Sequence, residues 1–255
     1  MPRSRYYPAA LLDRATALKP VARAREAVAA ARAAGDDAPH GGLPVPPAKL
    51  RVLVSGPSRE LFIDETNAGV HAISEVLGDH LRGSVLDFGC GCGRTARHWS
   101  GLGLDLHGCD YNPELVDWCR ENLPFMTAAR NGARPPAPYP PDRFDVVYAI
   151  SVLTHLTEES QRAWMSEWRR ILKPGGCLLF TTHGDSHSHK LGRRELPRYE
   201  AGELVVRHPS IEGLNQCVAH HPPAYVRDTL LCGWELARFR PASDYLQDMW
   251  LASPS

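Results

Sequence analysis

Residues 85–99 read VLDFGCGCGRTARHW. An apolar run is closed by an acid at Asp87, glycines recur at every second position from Gly89 to Gly93, and a stretch of helical composition follows. A strand that ends in such a turn brings bare backbone and helix N–H groups to one place. In an open α/β sheet that place is the carboxyl edge, where ligands bind. The spacing is GxGxG with no Walker-type lysine behind it, so this is not a phosphate-gripping P-loop.

Outward from the turn, strands and helices alternate. The pattern predicts a helix over 66–77, a strand over Ser84–Phe88, a helix from about Arg94 and a strand over 104–109. It continues with a helix over Pro113–Asn122, a short strand over 125–128, a Pro-rich loop over 135–141 and a strand over 144–150. A long helix over 158–172 and a strand over 177–182 close the series. That spacing means parallel pairing with crossovers, hence a three-layer α/β domain. Upstream, residues 15–34 are nearly all Ala, Arg and Val, a helix-forming composition, and residues 35–47 (GDDAPHGGLPVPP) are dense in breakers. The division expected is an N-terminal helical arm and linker over 1–49 and one main domain over 50–255.

Composition supports this frame. A chain of 255 residues with 43% hydrophobic content buries one good-sized core. Its 29 basic and 29 acidic side chains cancel, so nothing draws it to a phosphate backbone or an anionic membrane. Seven scattered cysteines, several inside apolar runs, read as free thiols of a reducing cytoplasm. Cys90 and Cys92 form a CxC pair, but without two further soft ligands nearby no metal is expected there. No run of eighteen apolar residues and no apolar leader is present, so neither membrane insertion nor export is expected.

A second acid sharpens the reading of the turn. Asp110 closes the next strand (LDLHGCD) at close to the ~20-residue spacing of a carboxylate that grips a ribose. Dinucleotides and S-adenosylmethionine both carry an adenosine. Asp87, two residues before the first glycine, separates them: it would repel a pyrophosphate and favour the ammonium of a methionine moiety.

The motifs in order resemble those of the class I (Rossmann-like) S-adenosylmethionine-dependent methyltransferases. VLDFGCGCGR looks like their first motif, GCDYNPELVDWCREN like the second, DRFDVVYAISVLTHL like the strand-four region and EWRRILKPGGCLLFTTHG like the last motif before strand five. The flanks SGPSRELF, HHPPAYVRD, GWELARFRPA and DYLQDMWL are similar to bacterial members found among glycosyltransferases and natural-product enzymes. The resemblance covers about residues 50–252 and implies a seven-stranded, mostly parallel sheet, with S-adenosylmethionine as cofactor and S-adenosylhomocysteine as product.

Residue by residue, it implies that Asp87, Gly89, Cys90 and Gly91 line the methionine portion and that Asp110 binds the ribose hydroxyls. Tyr111 would lie along the adenine, and Asn131 with Gly132, in a loop where many members carry Asp, would contact its edge. Ser151 would face the transferred methyl group, with Ile150 contributing backbone. Gly93 reads either as part of this turn or as a helix-packing position, and Asp87 as a ligand or as a bond acceptor for its own turn.

Methyl transfer is an in-line displacement from an activated donor, and positioning supplies most of its rate. A general base matters only where the acceptor loses a proton. His155 stands where strand four gives way to a helix and reads as a base or as a structural cap. His183, at the end of strand five, reads as a base or as a substrate-orienting donor. With Asp185, His187 and His189 it forms a cluster that is either a metal or proton-transfer set or a polar surface loop. His220 and His221 precede the prolines of a helix start, and the resemblance implies that one of them faces the pocket. The long segment 184–215 and residues 50–69 are expected to shape acceptor specificity.

The function expected is methyl transfer to a small-molecule acceptor, at oxygen first and nitrogen next, in natural-product or saccharide tailoring. The partners expected are that acceptor and no nucleic acid or membrane, with the chain a monomer or homodimer. An RNA or protein methyltransferase, a nicotinamide-dependent oxidoreductase and a non-catalytic adenosylmethionine-binding protein are the rivals.

Overall fold

A computed structural model of the chain describes residues 24, 27, 28, 31, 37–63, 68–242 and 247–255. Its centre is a seven-stranded sheet in the order β3-β2-β1-β4-β5-β9-β8. The strands are β1 (Ser84–Phe88), β2 (Asp105–Asp110), β3 (Thr127–Arg130), β4 (Phe144–Ala149), β5 (Leu172–Thr182), β8 (Trp234–Arg240) and β9 (Asp248–Pro254). From β3 to β5 neighbours pair in parallel, and β9 runs antiparallel to both β5 and β8. A separate two-stranded ribbon pairs β6 (Val205–Arg207) with β7 (Val218–His220). The Rossmann-like α/β sheet expected from the sequence is the one observed.

β1 is central, and all five of its residues are buried, as a strand covered on both faces requires. Period-two alternation sends its side chains to different sides. Val85 joins Ile73, Leu77, Trp99 and Val116 in one core, while Leu86 and Phe88 join Trp164, Trp168, Phe180 and Trp250 in the other.

Three helices supply most of the outer layers. α1 (Ala68–Leu77) packs on the first face and α3 (Glu158–Ile171) on the second. α3 carries Glu158 and Glu159 in its first turn and Arg169 and Arg170 in its last, so its charges follow the helix dipole. Its Trp164 and Trp168 stand 4.6 and 5.2 Å from the Phe88 ring. α2 (Pro113–Asn122) begins as a helix should: the Asn112 side chain accepts from the Glu114 N–H at 3.0 Å and Pro113 takes the first position.

Several boundaries depart from the sequence reading. In place of a helix from Arg94 there is one 3₁₀ turn, Ala96–Trp99, because glycines at 101 and 103 adopt positive φ and return the chain to β2. β3 lies two residues later than expected, and β5 begins at Leu172, reaching back to pair with Phe144. Beyond Pro223, the helix predicted there is a short α-turn followed by a π-turn, Val226–Leu230.

The breaker-rich stretch is tied down from residue 37 onward. Arg97 donates to the carbonyls of His40, Leu43 and Pro44, and the fully buried Arg51 donates to Pro46 O and Asp37. Of the N-terminal arm, Ala24, Ala27, Val28 and Ala31 are helical and exposed; most of it lies outside the described residues.

Candidate active site

The carboxyl ends of β3, β2, β1, β4 and β5 make one edge, and nearly every residue singled out in the sequence lies along it. At its centre is the glycine turn. Gly89, Gly91 and Gly93 all have positive φ, at 75°, 54° and 69°. The N–H groups of Gly89 and Cys90 both donate to Cys109 O, at 2.8 and 3.0 Å, fastening the turn to the end of β2. A Cβ on Gly89 would stand 2.6 Å from Val152 Cγ2, and one on Gly91 2.7 Å from Val54 Cγ2. Gly93 answers to packing: a Cβ there would meet Leu123 Cδ1 at 2.3 Å.

Asp110 holds this turn with both carboxylate oxygens. Oδ2 accepts from the Gly91 N–H at 3.0 Å and Oδ1 from the Asn112 N–H at 2.9 Å. Burial raises its pKa, against the pull of those amides. Each oxygen keeps a second lone pair, the capacity that two ribose hydroxyls would use.

On either side of Asp110 a buried acceptor stands without a partner. One is Asp87 Oδ2, at the end of β1; the other is Asn131 Oδ1, just past β3. Asp87 is 3% exposed and is hydrogen-bonded by the Tyr148 hydroxyl, which itself accepts from Trp99 Nε1 at 3.1 Å. Burial pushes the Asp87 carboxyl up to about 7, the Tyr148 bond opposes this and the charge of Asp110 adds to it. Asn131 is oriented by its own Nδ2, which donates to Gly132 O at 2.7 Å, and its backbone N–H donates to Asp110 O. Orphaned buried acceptors are rare and call for a donor. Asp87, Asp110 and Asn131, on adjacent strands, fit an ammonium, a pair of ribose hydroxyls and an adenine amino group in that order.

Cys90 and Cys92 are buried beneath the turn; the bond with Cys119, then burial, raises the Cys90 thiol, and burial raises that of Cys92. Cys90 Sγ lies near Gly91 O, as does Cys119 Sγ at 3.3 Å. Tyr111 is 42% exposed, and its hydroxyl donates to Gly213 O at 3.0 Å.

The other half of the edge is polar. Ser151 follows β4 with φ 61°, and its N–H donates to Thr181 Oγ1 at 2.7 Å. Thr181 Oγ1 donates to Gln247 Oε1 at 2.6 Å, and Gln247 Nε2 stands 2.8 Å from Ser151 Oγ and 3.2 Å from His183 Nε2. His183 stacks on His187 at 4.2 Å, and His220 is 5.9 Å away. Burial first, then the neighbouring histidines, lower His183 to about 2. Its imidazolium is therefore disfavoured, and the ring acts as a hydrogen-bonding group.

His155 is held through one ring nitrogen and its carbonyl. Its Nδ1 lies 2.8 Å from Cys217 O, and its carbonyl accepts from the Gly213 N–H at 2.9 Å. Burial lowers its pKa. Together with Tyr111 it ties the segment around Gly213 to the ends of β2 and β4, the two neighbours of β1. Glu212 strengthens the tie by accepting from the N–H and hydroxyl of Thr157, at 2.7 and 2.6 Å.

Of the post-β5 cluster, His187 is buried against His183 rather than at the surface, while Asp185 and His189 are exposed. Among the described residues no group of three or more His, Cys, Asp and Glu side chains is placed to hold a metal ion. His221 is fully buried, with Nε2 3.2 Å from Gln161 Oε1. Gln247, Thr181 and Tyr148 complete the edge and carried no signal of their own in the sequence.

Residues 85–176 match the family described as "Methyltransferase domain". The match runs from β1 into β5 and takes in the glycine turn and Asp110. The curated relatives differ in what they act on. A tRNA N(3)-cytidine methyltransferase of Gallus gallus is 29% identical over 111 residues, covering 39% of this chain and 30% of the relative. A malonyl-[acyl-carrier protein] O-methyltransferase of Yersinia pestis is 26% identical over 123 residues, 48% of this chain and 45% of its own length. The chain thus spans less than half the length of these curated relatives. In three dimensions the glycopeptide N-methyltransferase MtfA, solved with S-adenosylmethionine, superposes with a TM-score of 0.55 at 16% identity, over 74% of this chain and 94% of that one. That likeness establishes the methyltransferase fold. No helix among the described residues is long and apolar enough to cross a membrane.

Proposed function

We propose that the protein transfers the methyl group of S-adenosylmethionine to a small-molecule acceptor, at a hydroxyl oxygen first and an amine nitrogen next. The observation that carries this reading is the pair of buried, unpartnered acceptors, Asp87 Oδ2 and Asn131 Oδ1, flanking the Asp110 carboxylate. A dinucleotide would bring a pyrophosphate against Asp87 and is disfavoured there. The cofactor, when bound, supplies an activated methyl group. The chain's residues bind and orient: Asp87 takes the ammonium, Gly89, Cys90 and Gly91 present backbone to the methionine portion, Asp110 takes the ribose hydroxyls, and Asn131 with Gly132 takes the adenine edge. Ser151 and His183 stand on the acceptor side and position the nucleophile, from which most of the rate follows.

Natural-product or saccharide tailoring is the setting we favour, on the neutral charge and on the likeness of the flanks to bacterial enzymes of that kind. We place the catalytic domain over residues 50–255, with the arm ahead of it. Methylation of tRNA is the second reading, prompted by the curated tRNA methyltransferase relative.

The test is calorimetric titration with S-adenosylmethionine, S-adenosylhomocysteine and, as control, a nicotinamide dinucleotide. Both sulfur nucleotides are expected to bind and the dinucleotide not. Asp110→Ala should weaken both by about 30-fold or more, from the ~2 kcal/mol of charge-assisted hydrogen bonding it removes. Silence with the sulfur nucleotides would overturn the proposal.

A further inference from the structure

Gln247 lies in a segment that the sequence singled out only as a flank, and it joins three strands at the acceptor side of the edge. Its place is set from both ends. The Ser151 N–H donates to Thr181 Oγ1, which leaves the Thr181 hydroxyl proton for Gln247 Oε1 at 2.6 Å. With Oε1 so engaged, Nε2 is the end that meets Ser151 Oγ at 2.8 Å and His183 Nε2 at 3.2 Å. Ser151 Oγ lies 3.2 Å from Thr154 Oγ1, whose own proton goes to Ser151 O at 2.8 Å. Every hydrogen in the set therefore has one place to go.

A carboxamide nitrogen only donates. His183 Nε2 facing it must be proton-free, and the ring proton sits on Nδ1, which meets Ala219 O at 3.3 Å. His187 stacks on the ring, His220 lies 5.9 Å away, and His221 and His155 stand near enough to act on its charge.

We propose that Gln247 is the positioning residue of the acceptor pocket, holding His183 in the Nδ1–H tautomer so that Nε2 meets the methyl acceptor as a hydrogen-bond acceptor. This rests on the methyltransferase reading above. It reverses one role considered for His183: the ring offers a lone pair and not a proton. The nucleophile it orients brings its own hydrogen, as a hydroxyl or an amine N–H, and that hydrogen takes over the place of the Gln247 amide. Gln247 is 9% exposed, and its reach to Ser151 and His183 spans the ends of β4 and β5.

The experiment reads the tautomer directly, from long-range ¹H–¹⁵N imidazole spectra of the full chain, alone and saturated with S-adenosylhomocysteine. His183→Gln assigns the signals. Wild-type protein should show His183 with a bare Nε2. In Gln247→Glu, the carboxylate accepts where the amide donated, and Nε2 should become protonated. Gln247→Ala should give a mixture of tautomers. S-adenosylhomocysteine affinity should stay within about threefold in both variants, because neither touches the glycine turn. A wild-type Nε2 that carries the proton would overturn the assignment. So would a His183 spectrum unchanged in a Gln247→Glu protein that melts cooperatively. Failure of wild-type protein to bind S-adenosylhomocysteine would instead overturn the methyltransferase reading beneath it, whatever the tautomer.

Discussion

Asp87 is a carboxyl whose environment suits a visitor better than itself. Burial raises it from its ordinary value to about 7, so between those limits the folded chain binds a proton that the unfolded chain has released. Stability contributed at this site is therefore fully present below about 4 and is lost progressively as pH rises from there to about 7. Asp87→Asn should remove that loss and raise the melting temperature of the unliganded protein at pH 8 by several degrees, with a smaller rise at pH 5 and almost none below pH 4. The same carboxylate must be ionised to take an ammonium. Wild-type affinity for S-adenosylmethionine should therefore climb between pH 6 and 8 in calorimetric titrations, and the Asn variant should bind weakly with a flat profile. At this scale the acids and glycines of the edge were legible because each closes an apolar run, and strand ends are where ligands sit. Gln247 was not, since its partners Ser151 and His183 lie far off in sequence. A network assembled by sheet order leaves no local spacing to find.

Elements with their own start and stop signals were read to the residue. α2 has Asn112, Pro113 and Glu114 in sequence, and the predicted and observed spans coincide. The stretch after Gly93 misled because helical composition there is overruled by glycines and by the short path to β2. Gly93 itself is an element-scale contact: positive φ and the Leu123 methyl both oppose a side chain. Gly93→Ala is expected to cost about 2 kcal/mol of unfolding free energy in urea, with loss of cofactor affinity smaller than for Asp110→Ala. Of the histidines after β5, His187 is buried and His189 exposed, where the sequence favoured a polar surface loop for both. His187 and His220 are each held near 4 and His221 near 3, chiefly by burial. The unfolded chain therefore takes up protons below about 6.5 that the folded chain refuses, and stability falls as pH drops from there toward 4. Melting temperatures across that window should fall steeply, and His220→Gln should flatten the fall. An unchanged slope in that variant would show that other groups carry the acid transition.

Over the whole molecule, the formal charge is zero. A protein that grips tRNA releases counterions and shows a steep salt dependence. Filter binding of bulk tRNA at 150 mM salt should show no retention, and incubation with labelled S-adenosylmethionine should leave tRNA unlabelled. Labelling would move the tRNA reading ahead of the small-molecule one. The sheet was legible at this scale as an alternation of strands and helices up to β5. The antiparallel β9 was not, because its place between β5 and β8 is set by long-range pairing.

That placement has a temporal side. The half of the edge that would hold the nucleotide, from Asp87 to Asn131, is contiguous in the chain and leaves the ribosome early. Gln247 and the strand behind it, with Trp250 fully buried against Phe180 and Phe239, emerge more than a hundred residues later and must slot into the sheet between strands already made. A growing chain thus carries the residues from Asp87 to Asn131 well before it carries Gln247. Without that strand the second core lacks Trp250 and the acceptor side lacks the amide that bridges Ser151 and His183.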